Sequence, residues 1–344
     1  MKLAVTGGAG FLSYHLCRLR ASRYSEILAL DIAPFTQEDY PAHVRCLDAD
    51  VRDRARLDDA LKGIDHLIHA AAALPLHPPK DIWDVNVTGT RHVLDAALQN
   101  RVSRVVYISS MSVYGVPTKH PIVETDPLVG VGPYGKSKIA AEAVCREYLQ
   151  KGLWISIVRP GTFIGTGRLG VFQILYDWVR SGKRIPVIGS GGNRYQLLEV
   201  EDLVHAIALL LNAPAEQANG AFNVGAEEFG TVREDVGALC AYAGSGARVM
   251  PTPSWLVKPP LRVFEMAHLS PLYQWVYETA DKDLFVSTEK IKATTGWSAR
   301  FSNREALIRS YQWYLDHAKE LIGTGLGHRE AWKQGILALF KKIL

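Results

Sequence analysis

In the stretch VGPYGKSKIAAE, residues 131–142, a phenol and an ammonium stand one helical turn apart: Tyr134 and Lys138. Residues four apart share a helix face, so both side chains point into the same space. A free tyrosine titrates near 10, too high for a base at neutral pH, and a drop of about 3 units takes roughly 4 kcal/mol. A neighbouring ammonium favours the phenolate, and two close cations in a partly desolvated pocket can supply that energy. A phenolate so placed can take a proton from a substrate hydroxyl. An exposed ion–dipole pair is the plain alternative, and the rest of the chain decides between them.

Strand-like and helix-like segments alternate through the first half. KLAVTGG, EILALD, HVRCLDADV, DHLIHAAA, RVVYISS and WISIVRP read as strands. GFLSYHLCRLRAS, ARLDDALKG, YGKSKIAAEAVCREYLQK and one long segment, DIWDVNVTGTRHVLDAALQN, read as helices. This rhythm predicts an α/β fold: a Rossmann doubly wound parallel sheet with helices on both faces. After Pro160 glycines and prolines become frequent, which predicts a smaller mixed α/β C-terminal substrate domain. The expected division is residues 1–160 with returning segments near 197–225, a lid of 161–196 and 226–322, and an amphipathic tail, 323–344.

VTGGAGFLS comes directly after the first strand. Gly7 and Gly10 stand where a tight turn brings backbone amides against a pyrophosphate at a helix N-terminus. Asp31 ends the second strand, placed to accept from both hydroxyls of a ribose and to repel a 2′-phosphate. No arginine stands immediately beside it, so NAD is expected rather than NADP. Among 344 residues the net charge is only +4, too weak to imply nucleic acid, and no block of like charge is present, so no nucleic-acid partner is expected. The four cysteines (Cys17, Cys46, Cys145, Cys240) form no CxxC pattern, which favours a reducing cytoplasm. His66 and His69 face opposite sides if they lie on a strand, so no metal site is expected. No signal peptide is visible at the start, and no apolar run is long enough to span a bilayer.

TGGAGFLS, Asp31, DADVRD, HAAA, NVTGT, YISSMSVYG, YGKSK and RPGTFIG occur in this order over most of residues 1–320. Together they resemble the extended short-chain dehydrogenase/reductases of the NAD-dependent epimerase/dehydratase type. The resemblance implies that Asp50 and Val51 lie near the adenine and that Ala70, Ala71 and Ala72 line the cofactor wall. It also places Phe11, Leu12 and Pro160 against the cofactor, with Lys138 holding the nicotinamide ribose. Ser13 stands at the family's third glycine position. Asn86 opens NVTGT, where a structural hydrogen bond is as good a reading as a catalytic one. The family's serine is Ser110, expected to bind and orient the reacting oxygen beside Tyr134 and Lys138. Ser109 should face the other way on an extended strand. A homodimer is expected from the family.

The two residues after Ser110 narrow the reaction. The family's dehydratases carry an Asp-Glu pair there, and its decarboxylases a Glu at the second position; this chain has Met111 and Ser112. No cysteine stands nearby, as other epimerase branches require. What remains is an NAD-dependent epimerase of a nucleotide-linked or lipid-linked sugar, working through a transient ketone, with C4 the expected carbon. The alternative is a dehydrogenase or ketoreductase of a steroid-like or isoprenoid alcohol. Two departures point that way: Thr162 replaces the family's diphosphate-binding Asn, and Tyr195 stands at its Arg position with Arg194 one earlier. Met111, Ser112, Thr162 and Arg194 are therefore the further substrate-binding candidates. Trp255, Leu256, Val257, Phe264, Met266, Leu269, Leu272 and Trp275 read as lid core or as a greasy pocket wall. Trp332, Ile336, Leu339, Phe340 and Ile343, with Lys333, Lys341 and Lys342, form an amphipathic pattern. That helix can lie in a membrane interface or dock on its own subunit.

Overall fold

The structure, a computed structural model, describes residues 1–266 and 272–318 together with Arg329 and Lys341. Eleven strands are described: β1 (Lys2–Thr6), β2 (Glu26–Asp31), β3 (Val44–Asp48), β4 (His66–His69), β5 (Arg104–Ile108), β6 (Ile155–Pro160), β7 (Thr162–Ile164), β8 (Arg184–Ile188), β9 (Leu197–Glu199), β10 (Gly220–Val224) and β11 (Arg248–Thr252). Seven form one parallel sheet in the order β10-β6-β5-β4-β1-β2-β3. The inner strands are continuous apolar runs because both faces are covered. Helices Phe11–Leu19 and Val200–Asn212 pack on one face, and Arg54–Ala60, Thr90–Gln99 and Gly132–Gln150 on the other. β1 stands between β2 and β4, so the winding direction reverses between β1 and β4. That reversal opens a crevice at the carboxyl ends of the two strands.

The late segments divide. GAFNV returns to the sheet as β10 beside β6, whereas LLE pairs with β7 in a separate two-stranded sheet. β8 and β11 make another small sheet, which packs with the helices of the second half. The long helix expected over 81–100 forms as one run from Pro79 to Gln99, Pro79–Trp83 and Thr90–Gln99 being joined without interruption by a π-turn, Asp84–Gly89. Within the turn stands Asn86, whose side chain clamps the Ala73 backbone (2.8 and 3.2 Å) and donates to Ser137 Oγ at 3.0 Å. A π-turn lets that one side chain leave the helical ladder toward the site.

Both strand histidines are accounted for by hydroxyls. The His69 ring pairs with Thr6 Oγ1 (2.7 Å) and Thr90 Oγ1 (2.9 Å), and burial with the nearby Lys138 pulls its pKa down to about 3. His66 Nδ1 pairs with the Tyr24 hydroxyl at 3.0 Å. Of the tail, Arg329 pairs with Asp39 at 3.2 Å and lies over the Tyr14 ring, and Lys341 pairs with Asp177 at 2.5 Å. The remaining tail residues of the amphipathic pattern, Trp332, Lys333, Ile336, Leu339, Phe340, Lys342 and Ile343, lie outside the described residues. Among the described residues no helix is long and apolar enough to cross a membrane.

One buried polar network ties the elements around the crevice. Glu142, one turn beyond Lys138, is fully buried and receives Arg159 bidentately (2.8 and 2.6 Å) and Ser109 Oγ at 2.6 Å. Arg159 also donates to the Tyr114 hydroxyl (2.7 Å) and to the Glu124 carbonyl (3.0 Å). Tyr114 in turn donates to Asn223 on β10 at 2.7 Å. Removing one member of a buried pair strands the other charge. Arg159→Met is therefore expected to lower unfolding stability by about 3–5 kcal/mol, read by urea denaturation. A loss under about 1 kcal/mol, the level of an exposed pair, would contradict this role.

Candidate active site

The crevice floor is backbone. Gly7 has φ +72°, and a Cβ there would lie 2.7–2.9 Å from the backbone of Ala70 and Ala71, so the loop rests directly on the exit of β4. Gly8, not among the expected site residues, is equally bare: its amide donates to Leu30 O at 2.9 Å, and a Cβ would stand 2.8 Å from Ala29 Cβ. Gly10 caps the helix Phe11–Leu19 in extended conformation. Phe11 and Leu12 bury their side chains in the core, leaving the first helical amides toward the crevice. Ser13 is buried in the same turn, small enough for close helix–strand packing.

Asp31 accepts from the loop amide of Ala9 and from Ala33, both at 3.0 Å, and so stands at the rim of the glycine turn. Asp50 is held by Arg52 through Nε (3.0 Å), Nη2 (2.6 Å) and the backbone amide (2.8 Å). These bonds hold its carboxyl below the usual range. Arg52 was likewise not among the expected site residues. Val51 is buried, and a Cβ on Gly89 would meet its Cγ2 at 2.7 Å. Ala70, Ala71 and Ala72 are half-buried along the β4 exit, and Pro160 ends β6. A bare glycine turn, free helix amides and a strand-end carboxylate fit a dinucleotide laid across the strand ends.

Ser110 stands just past β5 and caps the short turn Met111–Tyr114, its Oγ accepting from Ser112 N at 3.1 Å. Ser109 turns to the opposite side and donates to Glu142. The Tyr134 phenol is half-buried and hydrogen-bonded to Ser110. Burial pushes it up to about 12, and the Ser110 bond opposes that only in part. Lys138 is 2% exposed; its Nζ donates to Ile108 O (2.9 Å) and Tyr107 Oη (3.4 Å) and lies 5.8 Å from the Tyr134 ring centroid. Burial pulls it down to about 8. In the protein alone, then, the phenol is raised rather than lowered. The ammonium spends its donors on the β5 end, and desolvation favours the neutral form of both groups.

A cavity of about 270 Å³ is lined by Leu74 and by residues of the second half, Tyr273 and Trp275 among them. Those two rings share an apolar cluster with Ile139 of the helix Gly132–Gln150, which carries Tyr134. Thr162 lines the cavity, with Oγ1 3.3 Å from the Tyr195 hydroxyl. Arg194 does not. Its side chain is exposed, with the guanidinium 4.5 and 4.8 Å from the Phe229 and Phe285 ring centroids, and Tyr195 takes the inward place. In extended backbone neighbours point to opposite sides, so being one residue off reverses the direction. Met111 and Ser112 are buried in the turn, and Met111 packs in the same apolar cluster as the cavity residues Trp275, Tyr195 and Tyr273. Of the apolar lid segment, Leu272 and Trp275 line the cavity, whereas Trp255 and Leu256 are 77% and 56% exposed. Leu269 and the Met266 side chain lie outside the described residues.

Burial raises Tyr134, so a positive charge arriving beside it would favour the phenolate. A ligand that favours the deprotonated form binds more tightly as pH rises. NAD affinity, measured by calorimetry on stripped protein from neutral to alkaline pH, is expected to rise more steeply in wild type than in Tyr134→Phe. Parallel pH profiles would remove the phenol from the cofactor's field.

A model of the NAD dependent epimerase/dehydratase family matches residues 3–225. The chain is 34% identical over 340 residues to the uncharacterized protein y4nG of Sinorhizobium fredii, covering 97% of this chain and 84% of that one. It is 36% identical over 163 residues to the N-acetyl-alpha-D-glucosaminyl-diphospho-ditrans,octacis-undecaprenol 4-epimerase of Escherichia coli O157:H7, covering 46% and 49%. Its fold matches the UDP-glucose 4-epimerase of Thermotoga maritima, solved with UDP-glucose, with a TM-score of 0.78 at 20% identity over 92% of this chain and 100% of that one. The cradle at the strand ends and these matches agree: the chain belongs to the NAD dependent epimerase/dehydratase family.

Proposed function

We propose that this enzyme inverts C4 of a hexose carried on a diphosphate, nucleotide-linked or lipid-linked, through a transient ketone. The observation that carries the reading is the Ser110–Tyr134–Lys138 constellation at the end of β5, with Ser110 bonded to the phenol and Lys138 Nζ on Ile108 O. The turn after Ser110 supports it, since Met111 and Ser112 offer no second acid or base for elimination. NAD supplies a hydride acceptor and donor when bound. Tyr134 takes the proton of the C4 hydroxyl and later returns it. Ser110 holds the same oxygen, so its position survives while the carbon is flat. Lys138 keeps a positive charge at the β5 end and is placed to hold the nicotinamide ribose. Gly7, Gly10, Phe11, Leu12, Asp31, Asp50, Val51, Ala70, Ala71, Ala72 and Pro160 form the cofactor cradle in this reading. Thr162 touches the substrate.

A second reading, net oxidation or reduction of an apolar alcohol, is supported by the apolar cavity wall. The two differ in cofactor use. An epimerase regenerates NAD in each cycle, and a dehydrogenase exchanges it.

The test is a label experiment with protein as purified. UDP-hexoses and a prenyl-diphosphate hexose, each deuterated at C4, are incubated without added cofactor and monitored by NMR. The expected result is inversion with the deuterium kept at C4 and near-stoichiometric NAD in the denatured supernatant. Tyr134→Phe should slow inversion by about 10²–10⁴-fold with NAD content unchanged. Net ketone formation that consumes added NAD would establish the dehydrogenase instead.

A further inference from the structure

The cavity wall carries two charged side chains among the described residues, Asp235 and Arg168. Asp235 is satisfied: it accepts from Asn303 Nδ2 (2.8 Å), Gly230 N (3.2 Å) and Arg304 Nε (3.3 Å). Arg168 is not. It is 7% exposed, and its Nε and Nη1 have no hydrogen-bond partner. Around it are rings: Phe11, Phe163 and Phe172, with centroids 5.5, 5.8 and 5.7 Å from the guanidinium carbon. Such rings offset part of the desolvation of a cation but satisfy none of its N–H donors. Its loop is pinned from both sides, by His15 Nε2 against Thr166 O (2.8 Å) and by Ser310 Oγ donating to Gly165 O (2.8 Å). Among the described residues no carboxylate meets it, and a buried, positioned guanidinium without an anion is a half-built ion pair.

The rest of the wall offers little to a nucleobase. Asn303 has spent its amide, donating to Tyr195 O and Asp235 and accepting from Leu197 N. The Thr162 and Tyr195 hydroxyls are paired with each other. A base buried there would leave its own donors and acceptors unmet. Leu74, Val171, Leu175, Val236 and Leu307 give the wall a hydrocarbon character instead. The helix Gln274–Thr279, which contributes Trp275 and Val276 to that wall, packs against Ser254–Met266 through Lys258–Asp281 (2.8 Å) and Arg262–Glu278 (2.6 Å). That second helix exposes Trp255, Leu256 and Val263. An exposed apolar face therefore stands one helix away from the cavity.

We propose that Arg168 binds the phosphate of the substrate, and that the cavity it faces takes a hydrocarbon chain attached to that phosphate, so that the sugar is carried on a lipid-like ester rather than on a nucleotide. This rests on the epimerase reading for the sugar, and adds the carrier and the residue that selects it. Among the described residues no carboxylate meets this guanidinium, and its fixed positive charge on the cavity wall suits a phosphate. A neutral sterol would leave it unpaired.

Binding to the NAD-loaded protein tests this without relying on turnover. The probes are geranyl diphosphate, inorganic pyrophosphate and UDP, read by tryptophan fluorescence, since Trp275 lines the cavity. Geranyl diphosphate is expected to bind at least ten times more tightly than either other probe. Arg168→Met should weaken it at least tenfold while the NAD content stays the same. Leu175→Trp, which fills the cavity from its apolar side, should also weaken geranyl diphosphate and leave pyrophosphate unchanged; it serves if the arginine variant does not fold. Two results would overturn the proposal. One is UDP binding as tightly as geranyl diphosphate. The other is Arg168→Met losing NAD while geranyl diphosphate affinity holds, which would assign the guanidinium to the cofactor's own diphosphate. Failure of the epimerase reading would appear elsewhere, as absent C4 inversion in the label experiment, and leaves this binding comparison intact.

Discussion

The carboxylate of Glu142 and the guanidinium of Arg159 meet bidentately in a part of the protein where neither is exposed to water. Everything that must be aligned for chemistry hangs from this pair. Glu142 lies on the same helix face as Lys138, one turn on, and Arg159 stands one residue before the end of β6. Ser109, bonded to Glu142, fixes the side of β5 that turns inward, and so leaves Ser110 facing Tyr134. Through Tyr114 and Asn223 the pair also reaches β10, the strand that arrives from the distant part of the sequence. A buried ion pair is weak evidence for net stability, because desolvation offsets much of its attraction. What it supplies here is register: the helix, β5, β6 and β10 have one mutual arrangement that satisfies all its donors.

A second constraint lies at the switch point. The glycine turn after β1 can press on the β4 exit only because neither Gly7 nor Gly8 has a side chain. That contact brings Ala70–Ala72 alongside the loop and leaves the helix amides open. Asn86 completes it by clamping Ala73 to the helix that carries Tyr134, through Ser137. The glycine turn, the β4 exit and the helix that carries Tyr134 are thereby tied together through the π-turn.

Much of this was legible in the residues. The alternation of apolar runs announced the parallel sheet, and the glycine turn with Asp31 announced the cradle, because both are local patterns with few other physical solutions. The opposed directions of Ser109 and Ser110 came from strand pleating alone. Long-range consequences were not legible. The π-turn at 84–89 sits where Asn86 meets the Ala73 backbone, 13 residues away in sequence. Arg194 and Tyr195 exchange roles because of strand direction at the cavity rim, which a motif offset does not encode. Trp255 and Leu256 are apolar yet exposed, and composition alone assigned them to core or pocket. The Glu142–Arg159 pair had a local signal: a glutamate four residues after Lys138, on the inward face of its helix, demands a buried cation.

The groups left over point in one direction. Tyr134 is raised and Lys138 lowered, each pushed by burial toward its neutral form. Arg168, likewise pulled down by burial to about 10, keeps its charge with Nε and Nη1 unmet. Elsewhere in the interior, the buried carboxylates of Glu142 and Asp202 have found partners. Burial thus shifts Tyr134, Lys138 and Arg168 toward their neutral forms, and a ligand of complementary charge beside any of them would relieve that. Relief of that kind is available on binding and is largest for a ligand that leaves no donor unmet. On these grounds specificity at the cavity is set less by what its wall attracts than by what the unpaired guanidinium and the hydrocarbon around it refuse.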